Sequence, residues 1–100
     1  MVEAGSRRGE DMADFMLRVA PSAARALERL PESVAAAVVE FLTGPLLQEP
    51  KRLGKPLVRQ LAGYWSARRG AYRVVYAIGE ESLLVLVVRV EHRADVYRPL

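Results

Sequence analysis

The stretch Ser66–Ile78, SARRGAYRVVYAI, decides the fold because it is typical of two β-strands joined by a tight turn at Gly70. After the turn, a set of large apolar residues alternates with a second set that contains a charge. The first set is Tyr72, Val74, Tyr76 and Ile78, and the second is Arg73, Val75 and Ala77. Successive side chains of a strand point to opposite faces of its sheet. If the apolar side chains face a core, Arg73 is therefore predicted to point away from it.

Two more arginines, Arg68 and Arg69, precede the turn. Because they are consecutive, only one of them can share the face of Arg73, unless a bulge at Gly70 changes the register. The three arginines are therefore interpreted separately.

The neighbouring segments extend this strand pair into a sheet. Residues 79–81 (GEE) predict a turn in which Gly79 can take a positive φ, and residues 82–90 (SLLVLVVRV) are apolar at most positions, as in a central strand. Residues 14–20 (DFMLRVA) alternate like a half-buried strand.

Two helices are predicted between the first strand and this sheet. They begin at Pro21 and Pro31, and Gly44–Pro45 ends the second. Residues 45–63 contain three prolines and two glycines and predict a loop with at most one short turn of helix.

The order of elements predicts an α+β fold. An N-terminal strand and a helical hairpin would pack on one face of a small, mainly antiparallel, twisted sheet. Residues 14–100 are predicted to form one domain. Residues 1–13 are predicted to be an N-terminal extension and to be disordered.

Composition excludes several classes of site. The chain has 100 residues, no cysteine and one histidine, so it offers neither a thiolate zinc site, a thiol nucleophile nor a histidine metal cluster. We expect no cofactor and no metal. Leu83–Val88, which is as long as any apolar run of the chain, is too short to span a bilayer. This predicts a soluble, cytoplasmic protein without membrane contacts.

Charge is distributed unevenly along the chain. Residues 1–50 contain five arginines and eight acidic residues, whereas residues 51–100 contain ten lysines or arginines and four acidic residues. A basic second half predicts binding to a polyanion such as nucleic acid, or to an acidic protein. The loop contributes four of these cations: Lys51, Arg52, Lys55 and Arg59. They are interpreted as contacts to phosphates of a nucleic acid, against the alternative of an ordinary solvated loop.

Four segments carry a resemblance to a known family. They are LERLP (27–31), RLGKPL (52–57), LAGYWSARRGAYRVVYAI (61–78) and HRADVYR (92–98). Together with the order of elements, they resemble the RelE/ParE superfamily of bacterial toxin–antitoxin toxins, and the RelE branch especially. The resemblance implies a RelE-like fold. RelE-like members cleave mRNA in the ribosomal A site, ParE-like members act on DNA gyrase, and an antitoxin encoded beside each toxin neutralises it.

The resemblance also implies a catalytic set. It places the strand arginine at Arg73, the C-terminal tyrosine at Tyr97 and a basic tail residue at Arg93. Where some RelE-like toxins have lysines on the preceding strand, this chain has Trp65 and Ala67.

Each member of this set has a predicted role in a reaction in which a 2′-hydroxyl of the RNA attacks the adjacent phosphate and cleaves the strand. The planar fork of Arg73 suits two phosphate oxygens of the transition state. Tyr97 is either the base or a surface on which a nucleotide base stacks. Arg93 supplies electrostatic stabilisation.

The resemblance implies contacts to RNA or the ribosome, rRNA phosphates included, for the four cations of the loop and for four further residues. The further residues are Arg68, Arg69, His92 and Arg98. For His92 an ordinary surface role is the favoured alternative to acid–base chemistry, because no second histidine completes a pair.

The leading hypothesis is a ribosome-dependent mRNA endoribonuclease that inhibits translation. Its partners would be the ribosome, mRNA and a RelB-like antitoxin, with operator DNA contacted only through the antitoxin. The alternatives are a ParE-like gyrase inhibitor and a catalytically weakened toxin that acts only in a co-repressor complex with its antitoxin.

Overall fold

The computed structural model describes residues 14–92. Its strands are β1 (Met16–Val19), β2 (Lys55–Pro56), β3 (Trp65–Arg69), β4 (Tyr72–Gly79) and β5 (Leu84–His92). Its helices are α1 (Pro21–Glu28), α2 (Glu32–Thr43), α3 (Pro45–Gln48) and α4 (Pro50–Leu53), followed by a 3₁₀ turn at Arg59–Leu61. None of the helices between residues 14 and 92 is long and apolar enough to cross a membrane.

The five strands form one sheet in the order β1-β5-β4-β3-β2. β1 is parallel to β5, and every other neighbouring pair is antiparallel. A parallel pair requires a long crossover connection, and the helices between β1 and the later strands lie within that connection. The predicted mainly antiparallel α+β fold is confirmed.

Prolines and glycine set the bounds of the long helices as the sequence predicts. Pro21 is the first residue of α1, and Pro31 is the N-cap residue of α2. A proline at the first helical position loses nothing, because its missing N–H has no partner within the helix. Gly44 then ends α2.

One hydrophobic core lies between the helices and one face of the sheet. The helices contribute Ala23, Val38, Phe41, Leu42 and Leu46, and the sheet contributes Ala67, Val74, Tyr76, Val85, Val87 and Val90. The hydroxyl of the fully buried Tyr76 donates to the Pro50 carbonyl at 2.6 Å. This hydrogen bond attaches α4 to the middle of the sheet.

The segment 45–63 differs from the predicted loop. It contains α3, α4, the edge strand β2 and the 3₁₀ turn. Pro45 and Pro50 each begin a helix, and Pro56 is tolerated because β2 is an edge strand. These prolines therefore start short elements where the sequence pattern indicated a break.

The turn between β4 and β5 also differs in detail. Positive φ angles occur at Gly63 and at Gly70, the turn between β3 and β4, but not at Gly79. In the β4–β5 turn, Leu83 has the left-handed conformation, with a φ of 52°. The predicted turn is correct, and the predicted position of its positive φ is wrong.

Candidate functional site

The orientation of β4 determines which side chains are available for function. Tyr72 packs edge-on against Phe41 of α2, with ring centroids 6.4 Å apart, and its hydroxyl donates to the Ala37 carbonyl at 3.4 Å. Tyr72 therefore faces the helices. Since strand side chains alternate, Arg73 lies on the opposite side of the sheet, here called the open face, as the sequence predicts.

Two adjacent rows of the open face contain its charged residues from β2 to β5. In the first row, Arg68 of β3 is opposite Arg73 of β4, which is opposite Glu91 of β5. In the second row the paired residues are Lys55, Ser66, Val75 and Arg89. Residues that are directly opposite in a sheet share a face. The charged members of the two rows, here called the basic face, are Lys55, Arg68, Arg73, Arg89 and Glu91.

An irregularity in β5 places Arg89 and Glu91 in these rows. Tyr76 pairs with Val87, whereas Val75 pairs with Arg89, so Val88 is an extra residue. Such a β-bulge reverses the alternation of the residues that follow it. Both charged side chains consequently lie on the open face.

Glu91 bridges two arginines of the basic face. Its Oε1 accepts hydrogen bonds from Arg73 Nε at 3.0 Å and Arg73 Nη2 at 2.6 Å. Its Oε2 lies 3.6 Å from Arg89 Nη1. The Glu91 side chain is 24% exposed and that of Arg73 is 39% exposed. Arg73 is thus held by a carboxylate yet remains accessible to an anion.

Arg69, the neighbour of Arg68, lies on the other side of the sheet. Its Cζ is 4.5 Å from the centroid of the Phe41 ring, a cation–π contact with α2. Burial raises the pKa of the Tyr72 phenol, and the positive charge of Arg69 partly offsets this increase. The structure therefore separates Arg69 from the arginines of the basic face.

The four cations of the predicted basic loop do not form one cluster. Lys51 pairs with Glu80 at the β4–β5 turn, and Arg52 pairs with Glu49 at 3.1 Å. Lys55 is paired with Ser66 and joins the basic face.

The fourth cation, Arg59, is an exposed residue of the 3₁₀ turn, with a φ of 62°. His92 pairs with Tyr72, which places it on the side of the helices. Neither residue occupies one of the two charged rows.

The predicted site is thus brought together only in part. Lys55, Arg68 and Arg73 share the open face, whereas Arg93, Tyr97 and Arg98 lie outside the described residues. Sequence reasoning did not single out Arg89 and Glu91. Their spacing of two in β5 was a signal that they share a face, but their register with Arg73 depends on the bulge.

The basic face has the chemistry of a phosphate site. Arg68, Arg73 and Arg89 present planar guanidinium groups, which bind phosphate oxygens through paired N–H donors. One carboxylate, Glu91, offsets part of the positive charge of these arginines and Lys55. The remaining charge favours a nucleic-acid backbone.

Comparison with known proteins identifies the family. Residues 17–97 match the profile of the family described as the ParE toxin of type II toxin–antitoxin system, parDE. The chain belongs to the ParE toxin family. This ParE-family protein is 52% identical to Toxin RelG of Mycobacterium tuberculosis over 84 residues, which cover 84% of this chain and 97% of that protein. It is 51% identical to Toxin RelE of the same organism over 84 residues, covering 84% and 87%, respectively.

Solved structures confirm the RelE-like fold of this ParE-family toxin. It matches a chain of the M. tuberculosis toxin–antitoxin complex RelBE2 with a TM-score of 0.80 and 49% identity, covering 81% of this chain and all of that one. It matches the isolated Escherichia coli RelE toxin with a TM-score of 0.63 and 22% identity, covering 83% and 90%. The protein is therefore a RelE-like toxin of a type II toxin–antitoxin module.

Proposed function

We propose that this toxin is a ribosome-dependent endoribonuclease that cleaves mRNA in the A site and thereby inhibits translation in the cytoplasm. The observation that carries the proposal is the row in which Arg68 and Arg73 lie side by side on the open face of the sheet. The similarity to proteins named RelG and RelE supports the same function.

Cleavage would begin with attack of the ribose 2′-oxygen on the adjacent phosphorus. A base takes the 2′-hydroxyl proton as the new 2′-O–P bond forms, the P–O5′ bond breaks, and the leaving 5′-oxygen takes a proton from water. The products are a 2′,3′-cyclic phosphate and a 5′-hydroxyl end. Arg73 would bind the two non-bridging oxygens as negative charge builds on them. Arg93 and Tyr97 remain predicted contributors of charge stabilisation and of a base or a stacking surface, respectively.

Lys55, Arg68 and Arg89 would bind neighbouring RNA phosphates. Such contacts position RNA without reading its sequence and weaken with added salt. Codon choice and access to the scissile phosphate would then come from the ribosome.

The inhibitory partner would be a RelB-like antitoxin. The matching M. tuberculosis chain was solved in a toxin–antitoxin complex, which supports a partner of this type here. Operator DNA would be contacted only through that antitoxin.

Inhibition of DNA gyrase is the second candidate function. The matched family is described by the ParE toxin of parDE systems, and resemblance to ParE-like proteins implies gyrase as the target. A gyrase inhibitor needs no attacking 2′-hydroxyl and no group that stabilises a transition-state phosphate. The two candidates therefore differ in whether mRNA ends appear.

The test combines programmed ribosomes with a gyrase supercoiling assay. We expect the wild-type toxin to generate new mRNA 5′-hydroxyl ends in the A-site codon. Loss of one donor to developing negative charge costs about 2.7–4 kcal/mol, so Arg73→Ala should slow cleavage about 100- to 1,000-fold. Arg25→Ala, which removes an exposed arginine of α1, should leave the rate unchanged. Inhibition of gyrase without mRNA cleavage would refute the nuclease.

A further inference from the structure

Glu91 has an unusual position for a carboxylate. It lies opposite Arg73 in the first row of the open face, and its side chain contacts both Arg73 and Arg89. A carboxylate repels the RNA phosphates that such a face would bind. Its placement between Arg73 and Arg89 therefore calls for a function within the site.

The hydrogen bonds of Glu91 use only one edge of the Arg73 guanidinium. Glu91 Oε1 accepts from Nε and Nη2. A guanidinium has five N–H donors in a rigid plane. Among residues 14–92, no further acceptor is hydrogen-bonded to this guanidinium, so one proton of Nη1 and one of Nη2 form the donor pair that a phosphate could use.

Glu91 also offsets repulsion among the arginines. Arg68 and Arg73 are directly opposite in the sheet, where Cβ atoms lie about 4.5–5.5 Å apart and like charges destabilise the pair. The hydrogen bonds that Arg73 donates to Glu91 oppose this repulsion and keep Arg73 in its row. The second oxygen of Glu91 faces Arg89 at 3.6 Å, so one side chain restrains two cations.

We propose that Glu91 is a positioning residue for RNA cleavage. It holds the Nε edge of Arg73 and thereby turns the adjacent Nη1/Nη2 edge toward the scissile phosphate. Glu91 itself does not contact the RNA and acts through Arg73. This inference rests on the proposed nuclease function.

The kinetic test is a double-mutant cycle with Glu91→Ala and Arg73→Ala on programmed ribosomes. Residues that act as a unit have non-additive effects. We expect Glu91→Ala to lower kcat about tenfold and to change KM less than about threefold. In the Arg73→Ala background it should cause no further loss. Effects that multiply, or a Glu91→Ala variant with the wild-type or a higher kcat, would overturn the proposal.

Two further variants separate positioning from a structural contribution. Glu91→Gln keeps an oxygen acceptor and should retain kcat within about threefold of wild type. This variant also tests the proposal if Glu91→Ala folds poorly. A Glu91→Gln kcat as low as that of Glu91→Ala would count against positioning by hydrogen bonding. Glu81→Ala removes an exposed carboxylate at the far end of the same hairpin and should leave kcat unchanged.

An NMR experiment tests the position of Arg73 without requiring cleavage. In ¹⁵N NMR, we expect the Arg73 Nε–H to exchange slowly in wild type and in Glu91→Gln, and quickly in Glu91→Ala. Addition of a short single-stranded DNA should shift the Nη signals and leave Nε–H protected. Displacement of Glu91, seen as loss of that protection, would identify it as a competitor of phosphate and refute positioning. Failure of wild-type cleavage with these NMR results intact would refute the nuclease function and leave the Arg73 geometry established.

Discussion

Alanine substitution of the two consecutive arginines, Arg68 and Arg69, should produce opposite phenotypes. The residues are chemically identical and adjacent in β3. Arg68 lies on the open face, opposite Arg73, whereas Arg69 lies over the ring of Phe41. We expect Arg68→Ala to impair RNA binding and Arg69→Ala to impair stability.

The stability effect follows from the contacts of each side chain. A cation–π pair at an exposed site contributes about 0.5–1 kcal/mol, and Arg69 is exposed. One kcal/mol corresponds to about 4–8 °C in a domain of 60–100 residues. Arg69→Ala should therefore lower Tm by about 2–8 °C. Arg68→Ala relieves repulsion from Arg73 and should leave Tm unchanged or slightly raised.

The binding effect is measured from the salt dependence of affinity. Loss of one phosphate contact to a single strand should reduce the slope of log K against log salt by about 0.7. We expect this change for Arg68→Ala and none for Arg69→Ala, with KM for cleavage raised only in the former. Differential scanning calorimetry and fluorescence anisotropy with a short RNA provide the two measurements. A lower Tm for Arg68→Ala together with a lower salt slope for Arg69→Ala would refute the assignment of faces.

Two further predictions concern the buried Tyr76. Tyr76→Phe leaves the Pro50 carbonyl without its donor and should lower the free energy of unfolding, measured in urea, by about 1–3 kcal/mol. Gly54→Ala should also destabilise the fold, because its Cβ would meet the Tyr76 hydroxyl and lie 2.9 Å from the Ser66 carbonyl. The double variant should lose less than the sum of the two, because the hydroxyl that the new Cβ would meet is gone. Burial raises the pKa of Tyr76 from 10.0 to about 12, so the folded state retains a proton that the unfolded chain loses. The free energy of unfolding should therefore fall as pH rises from about 10 to about 12, and Tyr76→Phe should reduce that fall. An equal pH dependence in the wild type and in Tyr76→Phe would show that Tyr76 is not the group responsible.

The fold could be predicted from the sequence because its strongest signals are local. Alternation in β4 identified the buried face, and the prolines at 21 and 31 marked the starts of the two long helices. The resemblance to RelE-like toxins agreed with both. The short elements of residues 45–63 could not be predicted, because a two-residue edge strand has no periodicity and depends on its pairing with β3.

The candidate site was less predictable because charges distant in sequence determine it. Lys51 and Arg52 read as a basic loop, yet each pairs with an acidic residue, Glu80 and Glu49 respectively. Only the first of these pairs joins separate elements of the fold. Arg73 could be oriented from its own strand, whereas its partner Glu91 comes from another strand and required the register.

The bulge at Val88 explains why a uniform alternation in β5 would have given the wrong face. Val85 and Val87 are buried in the core, and strict alternation would direct Arg89 and Glu91 to the same side. Two unshielded charges in an apolar core would be costly. The extra residue instead directs Val90 into the core and both charges to the open face. The bulge is therefore what assembles Arg89 and Glu91 with Arg73, and the chemistry of this face depends on backbone register as much as on the identity of its arginines.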